Sequence, residues 1–143
     1  MGELSTVWVR LLGFEVDPNV ITADVGVEPT VTNRIGEPVA PNSILRAKHN
    51  TWNLGVEQQN EQEYLDDVLR RLLGTIDIDR LRSARSTYNC ELQIGFRVWM
   101  NSAQDGFAMD DEFVAAVAAA GASIDVDIYF VGNETEEYTE TSE

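Results

Sequence analysis

The sequence predicts an α+β domain, built as a mostly antiparallel sheet with two or three helices packed on one face. Three observations carry that expectation. Strict two-residue alternation around Val7, Val9 and Leu11, around Ile94, Phe96 and Val98, and around Ile124, Val126 and Ile128 marks strands with one apolar and one wet face. Between these segments, apolar residues recur at helical spacing, with Asp or Asn before each run and Gly after it. At 143 residues the chain is long enough for one apolar core and too short for two ordinary domains.

Ser5 to Phe14 reads as the first strand, with Val7, Val9 and Leu11 on one face and Trp8, Arg10 and Leu12 on the other. In VDPNVITADVG, Asp17 is placed to cap a short helix, Pro18 suits its first position, Val16 can staple to Ile21, and Gly26 can end it. Val27 to Pro41 holds three of the four prolines, which predicts a brief extended piece at Thr30 to Arg34 and then a loop. Ser43 to Val56 predicts another strand, ending in TWNLGV. Its alternation is irregular, since Arg46, Lys48 and Asn50 share a parity with Trp52 and Leu54, and an edge position or bulge is expected.

Asn60 and Glu63 have capping-box spacing ahead of Tyr64, Leu65, Val68, Leu69 and Leu72, which predicts a helix running to Gly74. Ile78 to Arg85 adds a helical turn or two, with Leu81 inward and Arg80, Arg82 and Arg85 outward. Tyr88 to Met100 is the most regular strand, its apolar parity including Tyr88, Cys90, Leu92 and Met100. Asp110 caps an Ala-rich helix through Ala120, with Met109 stapling to Val114 and Gly121 closing it. Ser123 to Val131 alternates again. The domain is therefore read as residues 1–131, and residues 132–143, GNETEEYTETSE, have the acidic composition of a disordered tail.

FEVDPNVI from Phe14 and FAMDDEFV from Phe107 share a pattern, and each follows a strand and opens a helix that a glycine ends. Two such strand-helix-strand halves suggest an internal duplication and a ferredoxin-like sheet with one face partly open. The order of DPNVITADVGVEP, TWNLGV, YLDDVLRRLL and FAMDDEFVAAVAAAGASIDVDIYF resembles the bacterial family catalogued as domain of unknown function 4279, from about Val7 to Phe130. That resemblance implies a fold and no catalytic residues.

Asp and Glu number 25 against 10 Lys and Arg, a formal charge of −15 that repels nucleic acid and anionic membranes. Neither direct nucleic-acid binding nor membrane association is expected, and no apolar run approaches the ~18 residues of a membrane span. Nine of the ten cations are Arg and the other is Lys48, a bias of the kind found in salt-adapted or GC-rich sources. The single Cys90 allows no internal disulfide, which together with the missing signal-peptide pattern predicts a cytoplasmic protein.

Signatures of chemistry are sparse. His49 stands alone in RAKHNTW, so neither a histidine-rich metal site nor a triad can be built from it without distant partners. Cys90 shares the apolar parity of its strand and reads as a core residue. No phosphate-binding glycine loop, GxSxG elbow or HExxH is present. Asp125 and Asp127 share a strand face, where pairing with Arg10 or Arg97 is favoured over a calcium or magnesium site. No catalytic residue, cofactor or metal is expected.

The expected functional surface is the sheet face away from the helices, formed by Trp8, Arg10, Arg97, Trp99, Asp125, Asp127 and Tyr129. These aromatic and arginine types are enriched at binding hot spots. The competing expectation is that segment 28–41 covers both tryptophans. The leading functional expectation is a noncatalytic acidic protein-binding module, an inhibitor or immunity-type protein that occludes a basic partner, with a homodimer left open. The alternatives are a small-ligand-binding or hydrolytic enzyme using His49 and carboxylates on the open face, and a salt-adapted domain with no special partner.

Overall fold

The structure is a computed structural model and describes residues 3–100 and 107–130. The element order is β1 (Thr6–Leu12), α1 (Pro18–Val25), β2 (Val31–Asn33), β3 (Thr51–Glu57), α2 (Leu65–Thr75), α3 (Ile78–Thr87), β4 (Glu91–Met100), α4 (Asp111–Ala120) and β5 (Ser123–Phe130). The five strands form one sheet in the order β2-β3-β1-β4-β5, antiparallel except for the β4–β5 pair. The fold is thus α+β with a mixed sheet, and it carries four helices among the described residues where two or three were expected. No described helix is long and apolar enough to cross a membrane.

Strand alternation decides which face is buried. Val7, Val9 and Leu11 are inaccessible on β1, and Leu92, Ile94, Phe96 and Val98 are buried on β4 beside them. Trp52 and Leu54 continue that face on β3. All join one apolar cluster with Ile21 and Val25 of α1, Val68 and Leu72 of α2, Leu81 and Ala84 of α3, and Phe113 and Val117 of α4. The helix layer therefore lies on one side of the sheet. Trp52, wholly buried, satisfies its indole N–H by donating to Thr22 Oγ1 of α1 at 3.0 Å.

Three connections through helices join strands of one direction, and one of them is β3-α2-α3-β4, with β1 lying between its strands. β1 and β2 both run antiparallel to β3, so β1-α1-β2 joins strands of one direction with β3 lying between them. β4-α4-β5 does the same with no strand between, which creates the parallel pair. A ferredoxin-like sheet is antiparallel throughout with both of its connections split; the unsplit β4-α4-β5 unit and its parallel pair depart from that arrangement. The helices α1 and α4 start and end alike. Asp17 and Asp110 accept backbone N–H bonds at the N-caps, and Gly26 and Gly121 close the helices at φ 84° and 71°.

α3 ties α1 and α4 together. A Cβ at Gly26 would collide with the guanidinium of Arg80, and one at Gly121 would press on that of Arg85. Each arginine thus sits where the negative end of a helix dipole favours a cation. Tyr88, at the end of α3, donates a short hydrogen bond to Asp24 of α1, which raises the phenol's pKa above its ordinary value.

Several expected boundaries shift. The strand expected over 43–56 begins only at Thr51, and residues 43–50 form a loop bridged between Pro38 and Arg46. That loop start explains the broken alternation, and a buried Asn50 organises it by donating to Phe14 O at 2.8 Å and accepting from the Ile35 N–H at 2.9 Å. Asn60 and Glu63 do not open a helix. They close a turn, with Glu63 accepting from the Gln59 N–H and Arg71, before α2 starts at Leu65.

Tyr64, expected on the apolar stripe, is exposed, and α2 runs through Gly74 to Thr75. α3 is longer than the turn or two expected, and a cap at Asp77 starts it. β4 starts at Glu91, because Tyr88 caps α3 and Asn89 takes positive φ. Val114 is half exposed, and Met109 packs on the core. The proposed tail, residues 132–143, lies outside the described residues.

Ile94 is 1% exposed at the centre of β4, so Ile94→Asp would bury a charge with no partner at a cost of several kcal/mol. Thermal melting followed by circular dichroism should show no cooperative transition for this variant; a parent-like melt would contradict the packing described.

Candidate functional site

The face of the sheet opposite the helices is carried by alternate residues whose neighbours are fixed by strand register. Across the centre run Gly55, Trp8, Gly95 and Asp125, each directly paired with the next. One step along lie Arg97 and Asp127, and a further step brings Trp99 beside Tyr129. Arg10 sits on the other side of Trp8 between Asn53 and Gln93. The structure therefore places Trp8, Arg10, Arg97, Trp99, Asp125, Asp127 and Tyr129 on one face, over β1, β4 and β5.

The centre of that face depends on the missing side chain of Gly95. The indole of Trp8 lies so flat across β4 that a Cβ at residue 95 would overlap its six-membered ring. Covered by the indole, Gly95 is buried although its face carries no described helix. Arg10 then stacks on the outer surface of Trp8, its guanidinium carbon 4.3 Å from the ring centre, in a cation–π arrangement. Asn53 Oδ1 accepts from Arg10 Nε at 2.7 Å and Gln93 Oε1 from Nη1 at 3.4 Å. Burial draws the Arg10 pKa down from its ordinary value; Asp125 opposes this, while the positive charge of Arg97 adds to it. Arg10 is thus a fixed, partly desolvated cation.

A second aromatic pair stands at the end of the face. Trp99 and Tyr129 stack with ring centres 4.6 Å apart and planes inclined by 25°. The backbone beneath is tied down, since Trp99 N–H donates to Ser5 Oγ at 2.9 Å and Ser5 is itself buried. Asp125 and Asp127 lie between the aromatic pairs without an ion pair to any other described residue. Among the described residues no group of three His, Cys, Asp or Glu side chains is placed to hold a metal.

Segment 28–41 spends its hydrogen bonds elsewhere. Thr30 pairs with Asn53 and Gly55 at the β3 edge, and Gly36 and Glu37 bond with Ala47. Those bonds hold it at the β2–β3 side of the sheet, two strands and more from Trp99. His49 is exposed in the loop before β3. It precedes β3, which β1 and β4 separate from β5 and its carboxylates. His49 and the Asp125–Asp127 pair therefore do not share a pocket. Cys90 is half-buried, and burial raises its thiol pKa, the opposite of what a nucleophile needs.

Sequence reasoning missed Asn53, Gln93 and the two strand glycines. A signal for the glycines was present: Gly inside the strand patterns TWNLGV and LQIGF marks a place where something approaches the backbone closely. The polar partners of Arg10 carry no such signal, because only register brings them beside it.

A family model described as Domain of unknown function (DUF4279) matches residues 3–131. No curated protein and no solved structure matches the chain significantly.

Gly95→Ala should displace the Trp8 indole and unseat Arg10, at a cost of about 1–3 kcal/mol for overpacking. Near-ultraviolet circular dichroism should lose intensity and the melting temperature should fall. An unchanged spectrum would show that Trp8 does not lie across β4.

Proposed function

The chain belongs to the DUF4279 family, a domain of unknown function, and from its open sheet face we propose that it is a noncatalytic protein-binding module directed at a basic partner. The observation that carries this reading is the pair of ready-made stacks, Arg10 on Trp8 and Trp99 on Tyr129, on a face that no described helix covers. Antiparallel sheets commonly leave one face to water, but a face made for water carries short polar and charged residues. Two tryptophans, a tyrosine and a clamped arginine are instead the composition of a hot spot. Because these side chains are already ordered, a partner that docks on them gives up little further conformational freedom.

Charge indicates the kind of partner. Glu57, Glu91, Asp125 and Asp127 stand on this face against Arg10 and Arg97, within a chain of formal charge −15. Many other carboxylates have local work at helix starts, such as Asp17, Asp77 and Asp110 at the caps and Asp66 and Asp67 in the first turn of α2. Asp125 and Asp127 act on Arg10 only through its field and form no ion pair with another described residue, which leaves them available to steer and pair with a cationic surface. Occlusion of that surface, as by an inhibitor or immunity-type protein in the cytoplasm, is the biological form this reading takes.

Capture from the native cell, followed by binding kinetics on the captured partner, tests the reading. Trp8→Ala or Trp99→Ala should each weaken binding by ~2 kcal/mol or more, chiefly through faster dissociation. Asp125→Asn with Asp127→Asn should slow association and flatten its dependence on salt. Melting curves run in parallel separate lost contacts from lost folding. A partner that binds all variants like the parent would refute the proposal.

A further inference from the structure

We infer that the outer edge of β5 receives an extended basic segment of the partner as a sixth strand, with cationic and apolar side chains in alternation. The inference rests on the reading of the open face as a docking surface and specifies how the partner engages it. β5 is the outermost strand of the described sheet, paired only with β4 through eight residues. In a parallel pair, alternate residues turn their N–H and C=O groups away from the neighbour, so β5 offers a row of backbone groups to an added strand. The opposite edge, β2, is only three residues long.

The two faces of β5 carry different chemistry. On the helix side Ile124, Val126, Ile128 and Phe130 are 37%, 36%, 50% and 59% exposed, while their β4 neighbours Ile94, Phe96 and Val98 are buried. The helix layer is centred over β4, where Phe107 stacks on Phe96 and Phe113 meets it edge-on, and the apolar row of β5 is left partly exposed. On the open side of the same strand stand Asp125 and Asp127. A neighbouring strand would set one row of its side chains beside the carboxylates and the other beside Ile124, Val126 and Ile128. Basic residues alternating with apolar ones satisfy both rows.

A second copy of this chain satisfies them poorly. Antiparallel pairing of two β5 strands would bring Asp125 and Asp127 of each copy alongside those of the other, between molecules of formal charge −15. Like charges facing across a strand pair are destabilising. Edge carboxylates thus discourage self-association while admitting a cationic strand.

The test uses the full 143-residue protein and a fluorescent eight-residue peptide of alternating Lys and Val, matched to the length of β5. Two further peptides are N-methylated on alternate residues, one along each edge. Fluorescence anisotropy should show binding of the parent peptide. Methylation along one edge should weaken binding at least about tenfold and methylation along the other should change it little, since only one edge donates to β5. Asp125→Asn with Asp127→Asn should also weaken it, and Tyr64→Ala, exposed at the start of α2 and away from the open face, should not.

Equal binding of all three peptides, or no binding, would overturn the inference. If binding ignores methylation yet falls with Trp8→Ala, the edge proposal fails and the open-face reading stands; if neither change matters, both fail. Sedimentation of the protein as a dimer that the Asp125→Asn, Asp127→Asn variant tightens would identify a second copy as the occupant and also overturn it.

Discussion

The flat lie of Trp8 across Gly95 is the constraint on which the open face depends. β1 is the sheet's middle strand and has to serve two environments. Val7, Val9 and Leu11 fill the core beneath the helices, and Trp8 and Arg10 between them face away from it. An indole standing upright on a bare sheet would expose most of its apolar surface. With no Cβ at residue 95, the ring instead lies against the backbone, and its outer surface becomes a platform for Arg10. One glycine thereby converts a solvent-facing tryptophan into an ordered stack, so the face keeps its shape without a second layer.

The same economy shapes the helix side. Two strand-helix-strand units with matching caps pack beside one another, and α3 spans them with an arginine at the C-terminal glycine of each helix. One unit is split by β3 and has its outer strand reduced to β2, three residues long. The other is unsplit, so its outer strand β5 is long and parallel to β4. The asymmetry between the units therefore places a full-length edge strand beside the aromatic and carboxylate rows, which joins the face and the edge into one continuous surface.

Much of this was legible in the residues. Period-two alternation gave the faces of β1 and β4, because burial of one face allows only one assignment of side chains, and the same parity gave those of β5 although its apolar row stays exposed. Asp17, Pro18, Gly26, Asp110 and Gly121 marked helix ends, since caps are local chemistry. The seven candidate residues came together for the same reason, as each follows from parity alone. What was hidden depends on register and direction. Nothing local distinguishes a parallel return after α4 from an antiparallel one, and nothing near Arg10 announces Asn53 or Gln93. The start of β3 was misplaced because Asn50 terminates the loop with side-chain bonds to Phe14 and Ile35, groups distant in sequence.

The three tryptophans supply the most direct measurement, because they separate the open face from the core. Trp52 has its indole N–H held by Thr22 beneath the sheet, whereas Trp8 and Trp99 lie on the open side. In nitrogen–proton correlation spectra of the labelled protein, the indole signals should be followed as an alternating Lys–Val peptide is added. The account predicts that the Trp99 signal shifts most and Trp8 less, both reduced by added salt, while Trp52 stays in place. Shifts confined to Trp52, or to amides at the starts of α2, α3 and α4 with both surface indoles unmoved, would contradict it.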